Sequence, residues 1–170
     1  MKNPLNFLKE NIVLPLSKKI YFKYAIKDIR RLCREDIYEE TIDTLEADLV
    51  AIRSTRKNKI TYADVVQKKK GDSSLVLEKK KEVVRLFNAL DCFDIIYRYK
   101  TSQLFSQNFP GYLDDITEQR LKDITEKIDT VVAEITTVLK DNKELTLLET
   151  VNVTINTIEE NYNSLIKKFL

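Results

Sequence analysis

A chain of 170 residues with 29 basic and 27 acidic side chains, a net charge of +2, is long enough for one domain around a single core and needs no disulfide or metal to hold it. It contains no histidine, which removes the commonest general base and transition-metal ligand, and with them every imidazole-based triad, dyad or zinc centre. Two glycines and three prolines are too few turn formers for an all-β or α/β chain, so the composition points to long helices.

The opening Met1-Lys2-Asn3-Pro4 has neither the apolar run of a signal peptide nor the glycine at position 2 that myristoylation requires. The apolar run at residues 12–16 is broken by Pro15 and followed by Lys18 and Lys19, and no stretch reaches the length of a membrane span. A cytoplasmic protein is expected. Across residues 4–34, Leu5, Leu8, Ile12, Leu16, Ile20, Tyr24, Ile29 and Leu32 recur at helical spacing. They predict a short helix and then a longer one, with a break or kink at Pro15. Within residues 5–27, Phe7, Tyr21, Phe22 and Tyr24 alternate with Lys9, Lys18, Lys19, Lys23 and Lys27. A basic aromatic helix of this kind can lie on an anionic membrane, but burial of its aromatic stripe in a bundle is the preferred expectation.

Tyr38, Ile42, Leu45, Leu49 and Ile52 step by four, three, four and three, one apolar stripe on a helix whose other faces carry Glu39, Glu40, Asp43, Glu46 and Asp48. Residues 53–74 lose that periodicity and predict a basic connecting loop, with a helical turn near Tyr62 to Val66. Arg53, Arg56, Lys57, Lys59, Lys68, Lys69 and Lys70 make this segment the candidate for a nucleic-acid accessory role, with Tyr62 as a stacking platform. A solvated loop facing the acidic helix explains the same charges. Helix is expected to resume at Leu75, with Val83, Phe87, Leu90 and Tyr97 on one side, and to run toward Phe105 until Asn108-Phe109-Pro110-Gly111 stops it.

In residues 112–170, Leu121, Ile124, Ile128, Val131, Ile135 and Val138 form one heptad-like stripe, and Leu148, Val151, Ile155, Ile158, Tyr162, Leu165 and Phe169 form another. Asp141 to Glu144 is a short polar connection, so the two segments should fold into an antiparallel helical hairpin. Residues 151–155 also alternate like a strand, and the three-four stripe on both sides decides for helix.

Acidic spacings are the one enzymatic hint. Glu39, Glu40 and Asp43, then Asp91 and Asp94, then Asp114, Asp115 and Glu118 could bring carboxylates to one helix face, as a metal-dependent nucleotide phosphohydrolase requires. The last group equally suits the first turn of a helix. Cys33 stands beside Arg31 and Arg34, which could activate a thiol, but a buried thiol is expected. The resulting expectation is a single domain over residues 1–170, an elongated all-α up-and-down bundle of about five helices. It would be a non-catalytic interaction or assembly protein without cofactor. Its expected partner is a protein, or a second copy of itself, held on a hairpin seam of Val131, Ile135, Val138, Val151, Ile155, Ile158 and Tyr162.

Overall fold

A computed structural model describes the backbone of residues 3–58 and 93–170, and the side chains of residues 3–54 and 94–170. The described residues form an all-α bundle, with no strand among them. The first rod comprises α1 (Pro4–Leu8), a π-helical turn (Lys9–Val13) and α2 (Leu14–Leu32). Helices α3 (Glu35–Asn58), α4 (Phe93–Asn108), α5 (Asp115–Asp141) and α6 (Leu145–Ile166) follow.

The break expected at Pro15 is a π turn, and the helix continues through it. Proline lacks an N–H and its ring crowds the carbonyl four residues earlier. The widened turn just before it accommodates this, with the Leu14 N–H reaching back five residues to the Lys9 carbonyl. At the other end of the rod, Arg120 of α5 donates to the Cys33 carbonyl at 3.1 Å and lies over the Tyr38 ring. A guanidinium on the last carbonyls of α2 satisfies groups that the helix itself leaves without partners.

Helix α5 is the central element, packed along α3, α4 and α6. All six residues of its predicted stripe are buried, with Ile124 fully so and Ile128 and Val138 nearly so. It begins where Asp114 accepts the Thr117 backbone N–H at 2.9 Å and the Thr117 hydroxyl at 2.8 Å, an N-cap that these hydrogen bonds hold ionised below the ordinary carboxylate range. It ends in a tight reversal: the Glu144 N–H bonds to the Leu139 carbonyl and the Lys143 N–H to that of Lys140. This paired pattern puts one residue in the left-handed region, here Lys143 at φ 57°. The chain turns straight into α6 and closes the predicted hairpin. The residues that alternate like a strand, 151–155, are helical, because Val151 and, two turns later, Ile158 find the core from one face.

Two expectations change. Residues 53–58, assigned to the basic loop, are the last turns of α3. Arginine and lysine are good helix formers, so the helix propagates past the end of its apolar stripe. The remainder of that loop, including Lys59, Lys68, Lys69 and Lys70, the turn near Tyr62 and the helix expected from Leu75 to residue 92, lies outside the described residues.

The second change concerns the hairpin seam. Val131, Ile135, Val138, Val151, Ile158 and Tyr162 are buried and Ile155 is half-buried, within one chain. Of the flanking apolar residues Leu139, Leu145, Leu147, Val153 and Ile166, which on sequence grounds need a cover, Leu139 and Ile166 are buried, Leu147 is half-buried, and Leu145 and Val153 stand exposed. Within the chain α5 packs along α3, α4 and α6, and α6 along α4 and α5, and a stripe records only that something apolar lies opposite.

Candidate docking surface

The first rod enters the bundle at Tyr21 and Phe22. The Phe22 ring meets Phe109, Tyr112 and Phe105 edge-on, with centroids 4.5, 5.0 and 5.3 Å away. Tyr21 stacks on Phe169 at 5.2 Å, and its hydroxyl donates to that of Tyr162 at 3.2 Å. Burial raises the Tyr162 phenol above its ordinary value and, more mildly, that of Tyr21. From Ile29 and Leu32 to this aromatic clamp, α2 is part of the core.

Ahead of the clamp the rod leaves the bundle. No residue from Asn3 to Tyr21 is buried, although this stretch is as apolar in pattern as α5. Leu5, Phe7, Leu8, Ile12, Val13, Leu16, Ile20 and Tyr24 are 46–73% exposed. They are eight of the fifteen large apolar side chains that stand exposed among the described residues. Exposed apolar residues scattered singly are ordinary; a concentration on one element marks an interaction surface. The aromatic stripe expected to be buried is therefore divided, with Phe22 inside and Phe7 and Tyr24 outside.

Local chemistry holds this arm in a helix without help from packing. Asn3 caps it, its side-chain oxygen accepting the Leu5 N–H at 3.0 Å, and Pro4 follows at the one position where a proline suits a helix. Steps of four residues drift by roughly 40° each around an α-helix. The π turn winds more slowly and takes back part of that drift, so Leu8, Ile12, Leu16 and Ile20 stay near one line.

The charges are ordered too. Residues 3–27 carry five lysines against one glutamate, a net +4. Lys19, Lys23 and Lys27 are exposed and follow one another at four-residue steps, a row directly beside that of Leu16, Ile20 and Tyr24. Lys18 lies over the Phe22 ring, 5.4 Å from its centroid, and marks the edge of the clamp.

The remaining candidates sit on different helices of the described bundle. Asp114 is the cap of α5, Glu39, Glu40 and Asp43 are exposed on α3, and Asp94 pairs with Arg98 at 3.3 Å. Asp91 lies outside the described residues. Among those described, no three carboxylates or thiolates stand close enough to share a metal ion. Cys33 is buried and its thiol is pushed up by burial to about 11. Its sequence neighbours do not activate it: Arg31 pairs with Asp28 and Arg34 with Asp36. Of the basic segment, Arg53 pairs with Glu134 at 3.4 Å, and Arg56 and Lys57 lie on the last turn of α3. Beside the root of the arm an open cleft is lined by Tyr21, Tyr24, Arg31, Tyr97, Arg98 and Tyr162, its two arginines already paired to carboxylates.

Sequence reasoning named the apolar row of the arm, Leu5, Leu8, Ile12, Leu16 and Ile20, and its lysines, but assigned the apolar side to the core. The signal pointing the other way was the lysine row, since an apolar row with cations along one flank is not bounded like a core face. Comparison with protein-family models, with curated proteins and with solved structures returned no significant match.

Proposed function

We propose that this protein is a non-catalytic interaction module, a closed helical bundle that presents its leading helix as a docking arm. The observation that carries the reading is the exposure of Leu5, Leu8, Ile12, Leu16 and Ile20 along one capped helix. These side chains span roughly 22 Å at 1.5 Å per residue. Leaving them in water is unfavourable, by roughly 25 cal/mol for each Å² of apolar surface, and a binding partner recovers that free energy. The hairpin offers no comparable gain, because its stripe is already covered. A cytoplasmic setting fits the buried free thiol of Cys33.

Photo-crosslinking tests this directly. A photoreactive phenylalanine replacing Ile12 or Leu16, in cells producing the protein, should give adducts to another molecule, while the same group at Thr130 or Thr137 on α5 should not. Crosslinks from the arm confined to the chain's own bundle would show that the arm folds back and would end this reading.

A further inference from the structure

Resting on the reading of the arm as a docking element, we infer that what it docks on is an anionic lipid surface. The structure favours lipid over a protein groove through the shape of the apolar region. Leu5, Phe7 and Leu8 follow one another around α1 by about 200° and 100°, and all three are exposed. The tip is therefore apolar on several sides at once. A groove in a folded partner covers one side of a helix, with anchors three and four residues apart, whereas the acyl region of a membrane surrounds whatever enters it.

Further along, the arm becomes two-sided. Leu16 and Ile20 continue the apolar row and Tyr24 ends it with a ring and a hydroxyl, a combination suited to the level of lipid headgroups. Lys19, Lys23 and Lys27 run alongside, and their long apolar stems let the ammonium groups reach lipid phosphates and carboxylates while the neighbouring leucine and isoleucine sink deeper. Glu10 is the one acidic side chain in residues 3–27. A second copy of the arm is a poorer occupant, because pairing the apolar rows would bring lysine rows together and like charges repel. No described helix is long and apolar enough to cross a membrane, so the association is peripheral, with the clamp at Tyr21 and Phe22 holding the bundle against the surface.

The experiment uses the full chain with two kinds of vesicle, phosphatidylcholine alone and equal parts phosphatidylcholine and phosphatidylserine. The protein has no tryptophan, so Ile12→Trp supplies a single reporter, with Leu145→Trp, at the exposed start of α6, as a reporter outside the arm and the clamp. Serine-lipid vesicles should sediment the protein and shift the emission of the first reporter, not the second, to the blue; phosphatidylcholine alone should do neither. Replacing Lys19, Lys23 and Lys27 by Gln should weaken binding roughly fivefold per lysine and remove its sensitivity to salt. The same change at the exposed Lys122, Lys140 and Lys168 should have little effect. Leu8→Ser with Leu16→Ser should abolish binding while circular dichroism and Tm stay those of the parent, which separates lost docking from lost folding.

Failure to bind acidic vesicles, or binding indifferent to both sets of substitutions, overturns the lipid assignment. If light scattering then shows a dimer that Leu8→Ser with Leu16→Ser dissociates, or if the arm crosslinks another protein in cells, the arm still docks and only its partner was misjudged. If the arm affects neither vesicle binding nor self-association and crosslinks nothing outside the chain, the docking reading fails with it.

Discussion

Helix α5 and the leading arm share one pattern, apolar residues at steps of three and four with charged residues between them, yet the stripe of the first is buried and that of the second, from Leu5 to Ile20, is exposed. Ile124 and Ile12 occupy equivalent places in their stripes, at 0% and 53% exposure. The difference lies in their neighbours. Helix α5 has α3, α4 and α6 around it, while among the described residues burial along the first rod begins only at the aromatic clamp on Phe22. Periodicity reports that a helix has an apolar side, and what covers that side is decided elsewhere.

The comparison predicts a large inequality in stability. In urea denaturation, Ile124→Ala should destabilise the protein by about 3 kcal/mol, as expected for truncation in a packed core, whereas Ile12→Ala should stay within about 0.5 kcal/mol of the parent. Similar losses at both positions would mean that the arm is packed in solution and would dissolve the contrast. The seam residues sharpen it: Val131→Glu should unfold the chain rather than release folded subunits, because Val131 is buried within a single copy.

An intermediate effect is expected in alkali. The Cys33 thiol ordinarily titrates at 9.0 and is pushed up by burial to about 11 in the folded protein. A folded-state value above the unfolded one means that the neutral thiol's contribution is whole below about pH 9 and is lost progressively as pH rises through about 11. Denaturation midpoints should therefore fall across that window, and Cys33→Ala should flatten the early part of the fall. Tyr99, whose hydroxyl donates to the Leu32 carbonyl at 3.1 Å and whose phenol is raised by burial, should leave a later decline in both proteins.

The smallest effect expected is at the reversal between α5 and α6. Lys143 holds a left-handed conformation that costs a side-chain-bearing residue about 1 kcal/mol or more, partly offset by the extra freedom that glycine has when unfolded. Lys143→Gly should raise stability by about 0.5–1 kcal/mol in the same urea titration. A loss instead would mean that the lysine side chain contributes a contact outweighing the backbone strain.

Sequence alone determined the helical class, the hairpin and the α5 stripe, because turn formers are scarce and a three-four repeat over many turns admits no other regular structure. It also marked Asp114 as a helix start, since the same few residues carry the cap and the acidic first turn. It misplaced the onset of the basic loop, because good helix formers carry a helix beyond its last apolar residue. Only the tertiary structure decided which stripes were spent and which were free. Val131, Ile135 and Val138 could serve a partner or a core equally well by their spacing, and became core once α3 and α4 stood opposite them. Leu5 to Ile20 had the same spacing and stand unburied among the described residues. The physical reason is that the hydrophobic effect is non-directional: a side chain records how much it gains from leaving water, and the packing of distant segments settles which surface takes it up.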